Sequence, residues 1–225
     1  MYKGHTITVV IPCYNEEEGV RATLVDMPDL VDEVVVVDNN CTDRTAEVAV
    51  ALGAKVEVEQ VPGYGAAHKA GLRAATGDLI VAMDGDATYP RNLLPALLDI
   101  MIDEELDFIS CDRTGHKEEE ANAFLRVFGN FVLNVAMWSL FFIWLKDSQS
   151  GMWILRRSIL PKIKLTSDGM AFSEEIKIEA FRHKEIKAVE VPIYYKARVG
   201  ESKLNLWQDG LGNLVFLFRK RFGGL

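Results

Sequence analysis

The chain is poor in cysteine, short of positive charge and without a long uninterrupted apolar run. Its three cysteines, Cys13, Cys41 and Cys111, are odd in number and widely spaced. No pair has zinc-site spacing, and the same spacing speaks against a disulfide framework. Reduced thiols in a cytosolic compartment are the expectation. No tract is rich enough in Gly, Pro or Ser to form a low-complexity linker, and no internal repeat is visible. Lys and Arg number 25 against 33 Asp and Glu, a formal charge of −8. That balance argues against non-specific nucleic-acid binding. The longest apolar run, Phe131 to Leu145, is interrupted by Asn134 and Ser139. As a helix it reaches roughly 22 Å, short of the roughly 30 Å hydrocarbon core. A buried or interfacial helix is expected there, not a membrane span. The N-terminus leads straight into a strand pattern and is read as carrying no signal peptide.

What is present is an alternation of elements in a chain of 225 residues, 49% hydrophobic. That size suits one domain, or one with an appendage. Strand patterns are expected at Thr6–Ile11, Glu33–Val37, Lys55–Val61, Asp78–Met83 and Leu106–Ser110. Helical patterns lie between them: Glu16–Met27, a stretch up to Leu52, Ala66–Ala75, and one opened by Pro90. Such alternation implies a largely parallel sheet covered on both faces, with ligands outside the carboxyl ends of the strands. Three strand ends, Pro12 to Glu16, Asp38 to Asp43 and Asp84 to Thr88, are polar or acidic and should meet in one crevice. The second half predicts a long helix ending near Leu145, then a strand at Met152–Leu155 and a helix at Ser173–His183. A strand at Ile186–Val191, a loop at Arg198–Lys203 and an amphipathic stretch from Leu204 to Phe222 complete the pattern.

The apolar run Leu79–Met83 passes directly into Asp84-Gly85-Asp86. A buried strand ending in paired carboxylates calls for a cation. Hard oxygens suit Mg²⁺ or Mn²⁺, which bind through one or two carboxylates plus substrate phosphates. A solvated Asp-Gly turn is the alternative. The glycines of Gly63-Tyr64-Gly65 imitate a dinucleotide fingerprint, but the third glycine is absent and the motif follows the wrong strand. On the long helix Asn122, Arg126, Asn130 and Asn134 recur every four residues on one face. That stripe is either simply solvated or a phosphate site beside an apolar surface.

Taken in order, these motifs resemble inverting GT-A glycosyltransferases of the dolichyl-phosphate mannose synthase and polyprenyl-phosphate glycosyltransferase type. The residues that carry the resemblance are Val9–Glu16, Val36–Asp43, Gly63–Ala67 with Gly77-Asp78, Met83–Asp86, Asp147–Gly151 and Arg198–Lys203. The resemblance implies a GT-A catalytic domain over 1–203, with a donor half to about residue 115 and an acceptor half from about 116. Residues 204–225 would be a C-terminal amphipathic helix. It also implies a nucleotide-sugar donor, with Pro12, Tyr14, Glu16 and Asp38 lining base and ribose and Gly65 and Gly85 allowing close approach. Asp84 and Asp86 would hold Mg²⁺ or Mn²⁺ on the diphosphate. Arg113, Arg126, Asn130 and Ser202 would contact an acceptor phosphate. Asp86, Arg113, Arg126, Arg198 and Lys203 form the expected catalytic set. The chain departs from the pattern at Asn39, where a second acid is common, and at Thr88, where Gln is common. The second departure leaves a third protein contact to the ion open.

A polyprenyl or dolichyl phosphate acceptor would be met at the cytoplasmic face of a membrane. The aromatic and basic end of the chain, from Trp207 to Arg221, fits an interfacial helix. A core-packing helix with a basic last turn is the other reading. Glu174 and Glu175 could serve as a base for a hydroxyl acceptor, or simply start a helix. A non-catalytic nucleotide-sugar sensor and a nicotinamide dehydrogenase are the competing classes.

Overall fold

The structure is a computed structural model that describes residues 1–114, 123–200 and 206–223, apart from the side chains of 123–126 and 206. Its first half runs β1 (Ile7–Cys13), α1 (Glu17–Val25), β2 (Glu33–Asp38), α2 (Thr45–Ala51), β3 (Lys55–Val58), α3 (Tyr64–Ala74), β4 (Leu79–Ala82), α4 (Leu94–Asp103) and β5 (Phe108–Asp112). The second half adds α5 (Ala123–Phe141), β6 (Trp153–Arg156), α6 (Phe172–Arg182), β7 (Ala188–Pro192) and α7 (Leu206–Phe222). Short 3-10 turns precede α4 and follow β6. Pro90 stands before the first of these turns, so it opens that turn and not the α-helix itself.

Seven strands form one sheet in the order β3-β2-β1-β4-β6-β5-β7. All neighbours are parallel except β6, which runs antiparallel to both β4 and β5. The central strands are β-branched and buried on both faces, as a covered parallel sheet requires. Their alternating side chains feed two cores. Ile7, Val9 and Ile11 pack with α1 and α4, while Val10, Ile80 and Ala82 pack with α3 and α6. A third, smaller core joins α5, α6 and α7 through Met137, Phe141, Ile178 and Leu217.

Register places the site. Cys13 lies beside Asp38, and Val10 beside Ala82. The carboxyl ends of β1, β2 and β4 therefore finish on one edge of the sheet. Because β6 is antiparallel, its amino end reaches the same edge and brings residues 147–151 there.

Candidate active site

The acidic loop begins where β4 stops. Asp86 is buried, and its Oδ1 accepts from the Thr88 backbone N–H at 3.1 Å and the Thr88 hydroxyl at 2.5 Å. Thr88 therefore orients Asp86. Ala87 between them has φ +63°, a left-handed conformation costing a non-glycine residue about 1–2 kcal/mol. Its N–H donates to Thr23 Oγ1 at 3.1 Å, which holds the turn in place. Asp84 is half-buried and accepts from the Tyr64 hydroxyl at 3.1 Å. Burial, and then the like charge of Asp86, raises Asp84 from the ordinary carboxylate range to about 7. Gly151 lines the same spot, since a Cβ there would sit 2.5 Å from the Tyr64 hydroxyl and 2.9 Å from both Asp84 oxygens.

This pair suits a divalent ion: two hard-oxygen donors at one strand end, one of them raised by desolvation and a like charge. Among the described residues no group of three His, Cys, Asp or Glu forms a cage. Two carboxylates with the remaining positions left to water and phosphate oxygens is the usual donor set for Mg²⁺.

The ends of β1 and β2 are tied together. Asn15 Oδ1 accepts from the Thr42 backbone N–H at 2.7 Å, and Glu16 N–H donates to Thr45 Oγ1 at 2.9 Å. Pro12 is half-buried and Tyr14 exposed, so the tyrosine ring is available to a ligand. Asp38 accepts from Cys41 N–H at 2.8 Å, forming the turn after β2. Asn39, where a second acid was expected, is buried and structural. Its amide donates to the carbonyls of Glu59 and Val61 and accepts from Gly63 N–H. Gly65 is explained by packing: a Cβ there would meet the Ser167 carbonyl at 2.3 Å. Gly85 lies against Cys13 Sγ, which a Cβ would meet at 2.8 Å.

The opposite wall is basic. Arg113 follows β5 and clasps Asp147, with Nε 2.7 Å from Oδ2 and Nη2 3.1 Å from Oδ1. Its guanidinium also lies over the Tyr195 ring. Burial alone would raise Asp147, but Arg113 overrides it and holds the carboxyl at about 2. Asn130 and Asn134 of α5 both turn toward this loop. Asn130 donates to Asp147 Oδ1 at 3.1 Å, and Asn134 donates to the Lys146 carbonyl at 2.7 Å and accepts from Ser148 N–H at 3.0 Å. Asn130 and Asn134 of the stripe thus brace residues 146–148.

Lys177 was not anticipated from the sequence. It is fully buried on α6 and donates to the carbonyls of Asp147, Ser148 and Ser150 at 3.1, 2.7 and 2.9 Å. Burial lowers it to about 8. A lysine in an amphipathic helix looks solvated in sequence, so no local signal marks it.

Arg198 pairs with both Glu16 and Asp86. Its segment is docked by backbone bonds from Lys196 N–H to the Thr88 carbonyl and from Val199 N–H to the Asp86 carbonyl. The expected contacts through Ser202, Lys203 and the Arg126 side chain lie outside the described residues. Glu174 and Glu175 separate in role. Glu175 accepts from Thr166, Ser167 and Lys220, so it is spent on structure. Glu174 is buried, accepts from Gln149 alone among the described residues, and is raised by burial to about 8.

Beside the site, α5 and α7 pack together and present exposed Phe128, Phe131, Trp138, Trp207, Leu211, Phe218 and Phe222. No helix among the described residues is long and apolar enough to cross a membrane.

A parallel sheet with one reversed strand, an acidic pair past β4 and helices on both faces define a glycosyltransferase of the GT-A fold. Residues 8–164 match the family model for glycosyl transferase family 2, and the chain belongs to that family. It is 34% identical over 212 residues to a dolichyl-phosphate hexose transferase of Haloferax volcanii, covering 93% of this chain and 91% of that one. It is 30% identical over 210 residues to a dolichol-phosphate mannosyltransferase of Pyrococcus furiosus, covering 88% of this chain but 59% of that one. Among solved structures, the glucosyl-3-phosphoglycerate synthase of Mycobacterium tuberculosis with Mn²⁺, UDP and phosphoglyceric acid has the same fold. Its TM-score is 0.78 at 23% identity, over 97% of this chain and 78% of that one.

Proposed function

We propose that this glycosyltransferase moves one hexose from a nucleotide sugar to a polyprenyl phosphate at a membrane surface, with inversion at the anomeric carbon. The observation that carries the reading is one crevice that gathers the acidic pair Asp84 and Asp86 with the cations Arg198, paired to Asp86, and Arg113, paired to Asp147, next to an apolar α5–α7 face. Diphosphate, acceptor phosphate and prenyl chain each have a chemically matched surface. The names of the Haloferax and Pyrococcus relatives support the same acceptor class.

Tyr14 and Asp38 would bind the nucleoside, and Asp84 and Asp86 would hold Mg²⁺ or Mn²⁺. When bound, such an ion neutralises charge on the departing nucleoside diphosphate. Arg198 would stabilise the same developing charge from its place beside Asp86. Arg113 would orient the acceptor phosphate in line with the anomeric carbon. A phosphate monoester has a second pKa near 6 and is already anionic at neutral pH. It needs no strong base. A hydroxyl acceptor would need one. Glu175 is fully engaged, and Glu174 is fully buried and bonded to Gln149. Both facts favour the phosphate acceptor. The apolar helices would rest on the bilayer, with Arg219 and Arg221 toward anionic lipid.

The test is a transfer assay with a panel of GDP- and UDP-sugars and a short prenyl phosphate, with and without Mg²⁺ or Mn²⁺. Metal-dependent formation of a prenyl-phosphate sugar is expected. Transfer to sugar or protein hydroxyls alone would refute the acceptor assignment.

A further inference from the structure

The exposed aromatic face of the C-terminal helix suits contact with a membrane. Its buried face indicates another task. Along α7, Trp207, Leu211, Val215, Phe218 and Phe222 are exposed, whereas Asn213, Leu217 and Lys220 turn inward. Those three recur at spacings of four and three, one face of a helix. A helix that only anchored would be served by an apolar residue at 213. A buried amide is costly unless bonded, and Asn213 is 4% exposed.

Its bond begins a chain. Asn213 Nδ2 donates to Gln149 Oε1 at 2.9 Å. Gln149 Nε2 donates to Ser148 Oγ at 3.0 Å and to Glu174 Oε1 at 2.8 Å. Ser148 Oγ donates to Asn130 Oδ1 at 3.3 Å, and Asn130 Nδ2 donates to Asp147 Oδ1 at 3.1 Å. Asp147 then takes both bonds from Arg113. From Asn213 to Asn130 every donor points toward Asp147, so those bonds polarise one another in the same sense, and Asp147 accepts from Arg113 on its other side. An amide can present either end, and its orientation follows from its partners. Asn213 fixes Gln149, and Gln149 fixes the Ser148 hydroxyl. Ser148 in turn leaves the Asn130 amide nitrogen facing Asp147.

We infer that Asn213 of α7 is a positioning residue for Arg113, so that the surface helix completes the acceptor site as well as lying against the membrane. Arg113 contacts the acceptor; Asn213 acts through the relay. The inference takes the acceptor's identity from the proposed function, but the relay itself stands on the bonds above.

The experiment compares wild type with Asn213→Leu, Gln149→Leu and the double variant, using the full chain. The first readout is the ¹⁵N–¹H signal of Arg113 Nε, identified by its loss in Arg113→Lys. It should shift and exchange faster in each variant. The second is transfer to a short, water-soluble prenyl phosphate without vesicles. The acceptor KM should rise about fivefold, the equivalent of one lost hydrogen bond, with the donor KM unchanged. The double variant should be no worse than either single one, as expected for members of one network. An Arg113 signal unmoved by Asn213→Leu would overturn the relay, as would a defect seen with vesicles but not with the soluble acceptor. If wild type uses no prenyl phosphate, the proposed acceptor fails and the Arg113 signal still decides the relay. Asn213→Ala gives the same readouts should the leucine variant not fold.

Discussion

Arg198 Nη1 lies 3.1 Å from Asp86 Oδ2, and the same guanidinium pairs with the neighbouring Glu16. A fixed cation therefore sits on a carboxylate that would also serve a divalent ion. The two would compete for one oxygen in the free protein and cooperate once a diphosphate brings its own charge. Arg198→Ala should bind Mn²⁺ several-fold more tightly without donor, read by electron paramagnetic resonance. Its kcat/KM should fall about 10²-fold, as when one transition-state charge contact is lost. Weaker Mn²⁺ binding in the variant would show that the arginine does not compete.

Asp86→Ala should abolish metal-dependent transfer while the fold persists, because Thr88 can turn to water or backbone. Circular dichroism and a Mg²⁺ titration of activity check the two halves. Full activity with Mg²⁺ or Mn²⁺ would remove Asp86 from the site.

Gly151→Ala tests the back of the same pocket. The new methyl would collide with Tyr64 and both Asp84 oxygens at once. Activity should drop at least about tenfold, in keeping with small displacements of catalytic groups. Tyr64→Phe, which only removes the hydroxyl, should lose less. Equal, wild-type-like activity in both would show that Asp84 needs no fixed orientation.

Two buried acids contribute opposite slopes to the pH dependence of stability. Glu174 is raised to about 8, so between about 4.5 and 8 the folded chain keeps a proton that the unfolded chain releases. The contribution of Glu174 should decline as pH climbs through that window and level off above it. Asp147 is held at about 2, so its contribution is present at neutral pH and is lost as pH falls from about 4 to 2. Thermal melts of Glu174→Gln should be flatter than wild type from about pH 5 to 8. A variant with the wild-type slope would relieve Glu174 of that assignment.

Three consecutive basic residues near the end of α7 divide their work. Lys220 is nearly buried and pairs with Glu175 at 2.9 Å and Glu179 at 2.8 Å. Lys220→Met should cost about 3–5 kcal/mol, because it strands a buried carboxylate. Arg219 and Arg221 are exposed. Their joint change to Gln should leave the melting temperature unchanged and weaken binding to anionic vesicles, by about 1 kcal/mol for each charge. Unaltered vesicle binding would take the bilayer away from this end of the helix.

Much of the fold is legible in the chain because β-branched runs and polar strand ends are local patterns. Asp84 and Asp86 are visible as acids where an apolar segment stops, while Asp147 enters only with the motif Asp147–Gly151 that carries the family resemblance. The reversal of β6 was not visible, since Trp153–Arg156 reads alike in either direction. Nor was the pairing of Arg113 with Asp147, 34 residues apart, or the inward turn of Lys177. These depend on which elements meet, and residue type alone does not encode that. Asn39 and Thr88 show the same limit. Each departs from the common pattern, and each is used for a backbone or carboxylate contact visible only in three dimensions.

The reversed strand carries one more consequence. β6 comes from the second half of the chain, yet it lies between β4 and β5, which both come from the first. The sheet therefore interleaves the two halves, like fingers of two hands. A fragment ending near residue 115 would have a slot in the middle of its sheet, with exposed backbone on either side. Such a fragment should be insoluble when expressed alone and recoverable when co-expressed with the remainder. Exchange of acceptor halves between relatives is accordingly constrained at this slot, where the incoming strand must match both neighbours.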